Sequence, residues 1–217
     1  IYAGGSPQAY NEIYNRGVTS VDGVNGISDI FYRDGERLNN VAYEHTLFST
    51  DELISEYFPT YSFRREHEDS YSESMKFVDD GTPKTGESAF NIRIEYSDYK
   101  TGVFEYDDQT NLYMVSQYGN KMIDGNSQEQ LGVTNVLVLY AAVGNLANDT
   151  EGRLTIDLVG SGSGYFACGG KYIPITWTKD SYSSQFIYSI EGDTELEFGR
   201  GKTYINIVPL YNNVEIG

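Results

Sequence analysis

Cysteine and histidine are scarce in this chain of 217 residues, which contains one cysteine, Cys168, and two histidines, His45 and His67. A single cysteine excludes an internal disulfide and a cysteine-based metal cluster. Neither histidine has a second metal ligand of its own kind three or four positions away, the spacing that a helix would need to hold zinc. The sequence therefore predicts no metal site and no cofactor, and Cys168 is expected to be a buried, inert thiol.

Basic residues are also few, since 15 Lys and Arg stand against 32 Asp and Glu, for a net charge of -17. Such a surface repels phosphate backbones and anionic headgroups, so nucleic acid is excluded as an expected partner. The longest apolar run, residues 136–143, is much shorter than the roughly 18 residues of a membrane helix and is typical of a buried strand. The chain opens at Ile1 without the basic stretch and apolar segment of a signal peptide, and we expect the numbering to begin downstream of the true N-terminus.

Tyrosine is abundant, with 20 residues in the chain. A tyrosine ring packs on one side while its hydroxyl stays in water, which suits sheet surfaces, carbohydrate-contacting surfaces and protein interfaces. This composition favours a binding protein and predicts a pocket or a tyrosine-rich patch on the surface.

The N-terminal third carries two helix signals. Ser6 and Pro7 suit the start of a helix that Gly17 ends. A second helix is predicted from residues 49–52, with Ser49 as a cap and Pro59 as its stop. Residues 64–88 are polar and predict a connection without regular structure, so we place domain boundaries at 1–80 and 88–217.

Beyond this connection the pattern is that of strands. Residues 90–96 alternate with a period of two, residues 102–106 and 112–118 flank a turn, and residues 133–143 are continuously apolar, as in a strand covered on both faces. The predicted fold class is α+β. An N-terminal α/β-type part with helices on a mixed sheet precedes a β-rich part built as a barrel or a curled sheet.

Two motifs that could carry catalysis do not fit their templates. The run 160–164, Gly-Ser-Gly-Ser-Gly, lacks the Lys-Ser/Thr of a phosphate-binding loop and predicts a tight turn instead. Ser49, His45 and Asp51 could be written as a triad, but no Gly-x-Ser-x-Gly surrounds the serine. No catalytic residue is therefore predicted, although carboxylate pairs for glycosidic cleavage stay possible in so acidic a chain.

One group of residues could bind a ligand. Backbone amides at Gly4, Gly5 and Ser6, at the start of the first helix, together with Arg33 and His45, predict a site for a carboxylate or sulfate-like anion. In the alternative interpretation the glycines form a strand-to-helix turn and Arg33 pairs with an acid.

Several segments in order carry a family likeness. They are Gly4-Gly5-Ser6-Pro7, Arg33, His45-Thr46-Leu47-Phe48-Ser49, Asn135-Val136, Gly152-Arg153-Leu154, residues 157–162, Gly169-Gly170-Lys171-Tyr172-Ile173, Thr176-Trp177 and Gly201-Lys202-Thr203-Tyr204-Ile205. In this set the chain resembles the YerB-like bacterial lipoproteins, a domain family of unknown function. Glu44 departs from the family pattern, in which a proline precedes the histidine.

The resemblance implies a location and, with the composition, a role. It implies an extracytoplasmic lipoprotein of the Gram-positive cell envelope that meets the membrane only through an upstream lipid anchor. We expect a binding or scaffolding protein whose partner is a cell-wall component or an envelope protein. The alternative is an enzyme that acts on cell-wall polymers through paired carboxylates.

Overall fold

The computed structural model of the chain describes residues 4–25, 29–69 and 71–217. Contacts between residues divide the chain into an N-terminal unit, Ile1–Tyr71, and a C-terminal unit, Ser72–Gly217. Strands outnumber helices, so the predicted β-rich character is confirmed.

The first helix of the N-terminal unit, α1, spans Pro7–Asn15. The Ser6 hydroxyl accepts a hydrogen bond of 3.2 Å from the amide of Ala9, which satisfies one of the free amides of the first turn. Gly17 follows with φ of 59°, a left-handed conformation that glycine adopts without strain. The predicted start and end of this helix are confirmed.

The second helix, α2, spans Asp51–Tyr57 and is capped by the residue after the predicted one. Thr50 accepts a hydrogen bond of 3.2 Å from the amide of Leu53. Ser49 instead donates to the carbonyl of Ile30 at 2.6 Å, so the predicted capping role of Ser49 is wrong. Thr50 has the extended backbone that a cap needs, and the Ser49 hydroxyl is engaged by a neighbouring segment.

The remaining regular structure of this unit is short. Strands β1 (Tyr32–Arg33) and β2 (Leu47–Phe48) form an antiparallel pair. Three 3₁₀ helices lie at Arg37–Asn39, Tyr43–Thr46 and Phe58–Thr60. In the described part of the unit, this pair is therefore the sheet that accompanies the helices.

The C-terminal unit is built from strands. They are β3 (Lys76–Val78), β4 (Glu87–Ser88), β5 (Asn91–Glu95), β6 (Thr101–Asp107), β7 (Leu112–Gln117), β8 (Asn120–Lys121), β9 (Gly132–Val133), β10 (Asn135–Asn145), β11 (Leu154–Asp157), β12 (Gly160–Cys168), β13 (Lys171–Lys179), β14 (Ile187–Ile190), β15 (Thr194–Glu195), β16 (Glu197–Gly199), β17 (Thr203–Pro209) and β18 (Val214–Ile216). The alternating segment, the hairpin and the apolar segment predicted from the sequence correspond to β5, to β6 with β7, and to β10.

Two large sheets contain most of these strands. An eight-stranded sheet runs in the order β11-β10-β12-β13-β14-β15, with β17 parallel to β10 and β4 antiparallel to β13. A six-stranded antiparallel sheet runs in the order β18-β5-β6-β7-β8, with β9 on β7. Both sheets are open, and no closed barrel forms among the described residues, so the predicted barrel alternative is wrong.

Strand β10 lies between two hydrophobic clusters. Val136 and Val138 pack with Ile92 and Phe104 of the six-stranded sheet. Leu137 and Leu139, which point to the opposite face, pack in a second cluster with Phe166, Trp177 and Phe198. A strand covered on both faces belongs at the centre of a layered structure, as the continuous apolar run predicts.

Two segments differ from their sequence predictions. Residues 64–88 contain β3 and β4, where the sequence predicts no regular structure. Strand β3 pairs with β16, more than a hundred residues away, and β4 pairs with β13, so the local sequence does not indicate either strand. The glycine run lies within β12 and is not a turn. A side chain at Gly164 would come within 2.2 Å of the Val138 carbonyl, and one at Gly162 within 2.6 Å of Trp177, so close packing explains these glycines.

Among the described residues, no helix is both long and apolar enough to span a bilayer.

Candidate ligand-binding cleft

The structure places the predicted anion-binding residues in two local arrangements. Gly4 has φ of 135°, and Ser6 caps α1. Arg33 donates to the carbonyl of Tyr43 at 2.6 Å and to the Thr46 hydroxyl at 3.1 Å, and its guanidinium lies 3.8 Å from the centre of the Tyr43 ring. The partners of Arg33 are thus a carbonyl, a hydroxyl and a ring, and not the acid of the alternative interpretation.

The other residues of that predicted site form their hydrogen bonds with partners other than Arg33. His45 is exposed, and its amide donates to the Ala42 carbonyl within the 3₁₀ helix. A side chain at Gly5 would contact Ala9 of α1. No hydrogen bond or ion pair among the described residues joins 4–6 to Arg33 or His45. An anion site formed by all five residues therefore stays a prediction.

A cleft in the C-terminal unit has the properties of a binding site. It forms where the chain leaves β17 in the eight-stranded sheet and turns through Pro209 and Asn212 to reach β18 in the six-stranded sheet. The amide of Asn212 donates to the Pro209 carbonyl at 2.9 Å, and its side-chain nitrogen donates to the Glu95 carbonyl at 2.6 Å. These bonds fix the turn against β5.

The opposite wall of the cleft is the turn between β5 and β6. The amide of Lys100 donates to the Ser97 carbonyl at 3.2 Å, and the amide of Tyr96 donates back to the Lys100 carbonyl at 2.9 Å. This closed turn presents Asp98 and Tyr99 to solvent, and Tyr99 is 78% exposed.

Tyr96 fixes the base of the cleft. Its hydroxyl donates to the side-chain oxygen of Asn206 on β17, which links the two sheets. Burial is the main cause that raises the pKa of Tyr96 above its ordinary value, so its hydroxyl stays protonated and serves as a donor. The Asn206 side chain also donates to the Leu137 carbonyl at 3.0 Å, which holds this link in place.

Aromatic rings continue from the cleft across the sheet surface. The rings of Tyr99 and Tyr118 stack, with centres 6.4 Å apart and planes 11° from parallel. The ammonium of Lys100 lies 5.1 Å from the centre of the Tyr96 ring and 5.9 Å from that of Tyr118, within the range of a cation–π contact. Tyr118 holds its position through a tight turn in which it and Gly119 both have positive φ.

The cleft has a volume of about 430 Å³, within the range of small-molecule sites. Its lining includes Arg93, Glu95, Tyr96, Asp98, Tyr211 and Asn212. Tyr211 is 85% exposed at one side, and Arg93 pairs with Glu95 at 2.6 Å on the other. Donors, acceptors and aromatic faces in one cleft suit a ligand that is rich in hydroxyl or amide groups. We call the cleft, together with Tyr99, Lys100 and Tyr118, the tyrosine cleft.

The sequence indicates the kind of surface but not its place. The tyrosine count predicts a tyrosine-rich patch, and the tyrosine cleft is one. Its members come from positions 96–100, 118 and 211. They meet because β5 lies between β18 and β6, and because β7, which precedes Tyr118, pairs with β6. No local motif marks them, and the spacing of tyrosines along the chain contains no signal that would have found them.

Six carboxyls among the described residues have a pKa below its ordinary value. Hydrogen bonds or a nearby lysine lower it, which favours the charged form. These carboxyls are Glu52, Asp80, Asp107, Asp124, Asp149 and Glu197. Across 4–25, 29–69 and 71–217, no three His, Cys, Asp or Glu side chains gather as a metal site would require.

Comparison with known proteins gives two matches. The profile of the DUF3048 C-terminal domain, described as a protein of unknown function, matches residues 92–205, more than half of the chain. The crystal structure of the YerB protein from Bacillus subtilis superposes with a TM-score of 0.78 at 20% sequence identity, over 99% of this chain and 69% of that one. A search of curated proteins returned no match.

Proposed function

Because the chain belongs to the DUF3048 family, whose function is unknown, we propose its role from its own surface: a protein that binds or scaffolds without catalysis. The proposed partner is a cell-wall component or an envelope protein. In the full-length protein, an upstream lipid anchor holds the domain at the outer face of the cytoplasmic membrane of a Gram-positive cell.

The tyrosine cleft is the observation that carries this proposal. It offers two stacked, exposed rings, a third exposed ring at Tyr211, and a cleft with paired charges between them. Flat ring faces cover the apolar faces of sugar rings, while Arg93 and Asp98, which line the cleft, supply polar contacts at the edges. A glycan strand or a glycopeptide of the cell wall therefore fits this surface better than a compact apolar ligand does.

Binding to cell-wall material tests the proposal. We expect the chain to sediment with purified peptidoglycan, and the variants Tyr99→Ala and Tyr211→Ala to bind roughly threefold to tenfold more weakly, since each loses one aromatic face. Tyr14→Ala is the matched control, because Tyr14 is 86% exposed in α1 and lies outside the cleft. Equal binding by all three variants, or no binding by the unaltered chain, would contradict the proposal.

The proposed location has its own test. Its support is the family resemblance of the sequence. Fractionation of cells that express the full-length protein should recover it with the membrane, accessible to protease added outside. Recovery in the cytoplasmic fraction would contradict the envelope location and leave the binding test untouched.

An enzyme that cleaves cell-wall polymers is the second candidate, because Glu95 and Asp98 both line the cleft. Glu95 already forms an ion pair of 2.6 Å with Arg93. Incubation of the chain with peptidoglycan decides between the two. If the unaltered chain releases soluble fragments and the variant Glu95→Gln or Asp98→Asn does not, the result would favour the enzyme.

We further propose that the helices of the N-terminal unit pack on a mixed sheet that is larger than β1 with β2. Support comes from the apolar side chains that the described unit leaves exposed, among them Val18, Leu38 and Val41. A sheet that covered them would remove this surface from water.

A further inference from the structure

A second cavity of the C-terminal unit has a different chemistry. It has a volume of about 500 Å³ and lies between the segment 81–85, the strands β12 and β13, and the stretch from β14 to β16. Four apolar side chains form its floor: Phe166, Ile173, Ile190 and Leu196. Because Phe166 and Leu196 belong to the second core cluster, the floor is part of a packed core and is held rigidly.

The wall formed by residues 81–85 is anchored at both ends. A side chain at Gly81 would come within 2.1 Å of the Gly199 amide, and one at Gly86 within 2.6 Å of the Tyr172 carbonyl, so the segment lies directly on the sheet at these two points. The Asp80 carboxylate accepts a hydrogen bond of 2.9 Å from the Thr82 amide. The cavity is therefore formed before a ligand arrives, which lowers the entropy cost of binding.

The rim of the cavity carries charges of both signs. Lys76 and Glu197 form an ion pair of 2.6 Å, so these two charges are matched. The side chains of Lys84 and Glu195 are exposed on the same rim and make no hydrogen bond or ion pair of their own among the described residues. At longer range Lys84 interacts electrostatically with Glu197, and Glu195 with Lys76. One ammonium and one carboxylate thus have no direct partner above an apolar floor.

From this arrangement we propose that the cavity binds a short peptide with free termini and bulky apolar side chains. The side chains lie on the floor, the terminal carboxylate pairs with Lys84, and the terminal ammonium pairs with Glu195. Charge complementarity decides which class of ligand fits. A ligand with only positive or only negative charge would leave one of the two rim charges repelled or unmatched. The site is separate from the tyrosine cleft, with which it shares no lining residue.

Calorimetry with the full chain tests the proposal through a series of dipeptides. We expect Leu-Phe to bind, and the same dipeptide blocked at either terminus to bind roughly tenfold more weakly, since each block removes one charged contact. Gly-Gly, which has both charges and no apolar side chain, should not bind measurably. Equal affinity for blocked and free Leu-Phe, or no binding of Leu-Phe, would overturn the proposal.

Two rim variants identify the contacts. Lys84→Ala should bind the dipeptide with a blocked carboxyl terminus as well as the free dipeptide, and should still bind the one with a blocked amino terminus more weakly. Glu195→Gln should show the reverse pattern. Both residues are exposed, so the variants should fold as the unaltered chain does. Lys121→Ala, which removes the same charge at an exposed position outside both cavities, is the control and should leave dipeptide binding unchanged. If Lys121→Ala weakens binding as much as Lys84→Ala, the site is elsewhere and the proposal fails.

Discussion

At the scale of single residues, buried polar side chains connect segments that are distant in sequence. Asn135 is fully buried at the start of β10. Its side chain accepts from the Gly199 amide at 2.9 Å and donates to the Gly199 carbonyl at 2.7 Å and to Thr203 at 3.1 Å. A single amide thereby satisfies the backbone of β16 and orients β17 beside β10.

Replacement of this amide should be costly. We expect Asn135→Ala to lower the free energy of unfolding by about 3 kcal/mol, because the buried amide and carbonyl of Gly199 lose their partner. Urea unfolding measures the change. Asn126→Ala, at an exposed position, is the control and should alter stability little. A loss below about 1 kcal/mol for Asn135→Ala would show that water or a shifted backbone replaces these bonds.

Cys168 gives a prediction for alkaline pH. Burial raises the pKa of its thiol to about 11, and the thiolate is therefore disfavoured in the folded state. Since the pKa in the folded state lies above the ordinary value of 9.0, this group contributes stability below pH 9 that is lost as the pH rises towards 11. The free energy of unfolding should fall more steeply between pH 9 and 11 for the unaltered chain than for Cys168→Ala. Parallel curves would contradict the assignment.

At the scale of elements, interactions of Asp149 with Glu151 and Arg153 hold the loop between β10 and β11 closed, and we call them the loop clasp. Asp149, whose side chain is 4% exposed, accepts from the Arg153 amide at 2.7 Å and the Glu151 amide at 3.0 Å, and pairs with the Arg153 guanidinium at 2.6 Å. The bond from the Arg153 amide is the main cause that lowers the pKa of Asp149 below its ordinary value of 3.8.

The clasp should respond to mutation and to acid. Asp149→Asn should speed hydrogen exchange in residues 146–153 by roughly tenfold, since a charge-assisted acceptor is lost. In the unaltered chain the same amides should be protected at neutral pH. They should lose protection only as the pH falls below 3.8 through the lowered pKa. Asp193→Asn, in an exposed turn, is the control. Exchange that Asp149→Asn leaves unchanged would contradict the clasp.

Local patterns in the sequence predict those elements whose reasons are local. The alternation of 90–96 predicts β5, and Ser6, Pro7 and Gly17 predict α1, because period and capping act over a few residues. No local pattern indicates β3, because its partner β16 lies far along the chain. The β12 glycines suggest a turn by their sequence, and only the packed sheet shows what they contact. The tyrosine cleft has the same origin: composition predicts such a surface, and topology places it.

At the scale of the whole molecule, family and fold agree. The resemblance to YerB-like proteins, predicted from ordered motifs, is confirmed by the family match and by the similar fold. Several of those motif residues have structural roles, such as Asn135 between strands and Arg153 in the loop clasp. A family likeness that rests on such residues indicates a shared fold. It does not indicate a function, which depends on the surface residues.

The domain boundary predicted from composition lies after residue 80, whereas contacts divide the chain at residue 71. We expect the fragment 72–217 to fold cooperatively. The fragment 88–217 lacks β3, which pairs with β16 and covers Phe198 with Phe77, and should be less stable by at least about 2 kcal/mol. Urea unfolding of both fragments measures the difference. Equal stability would favour the boundary taken from composition.

We propose that this molecule binds through the tyrosine cleft, and amide chemical shifts test this binding most directly. Titration of the labelled full chain with soluble peptidoglycan fragments should move the resonances of residues 95–101, 118 and 209–212 together, with one saturation curve and no new products in the sample. Shifts confined to other parts of the chain, or fragments that are consumed during the titration, would contradict the account.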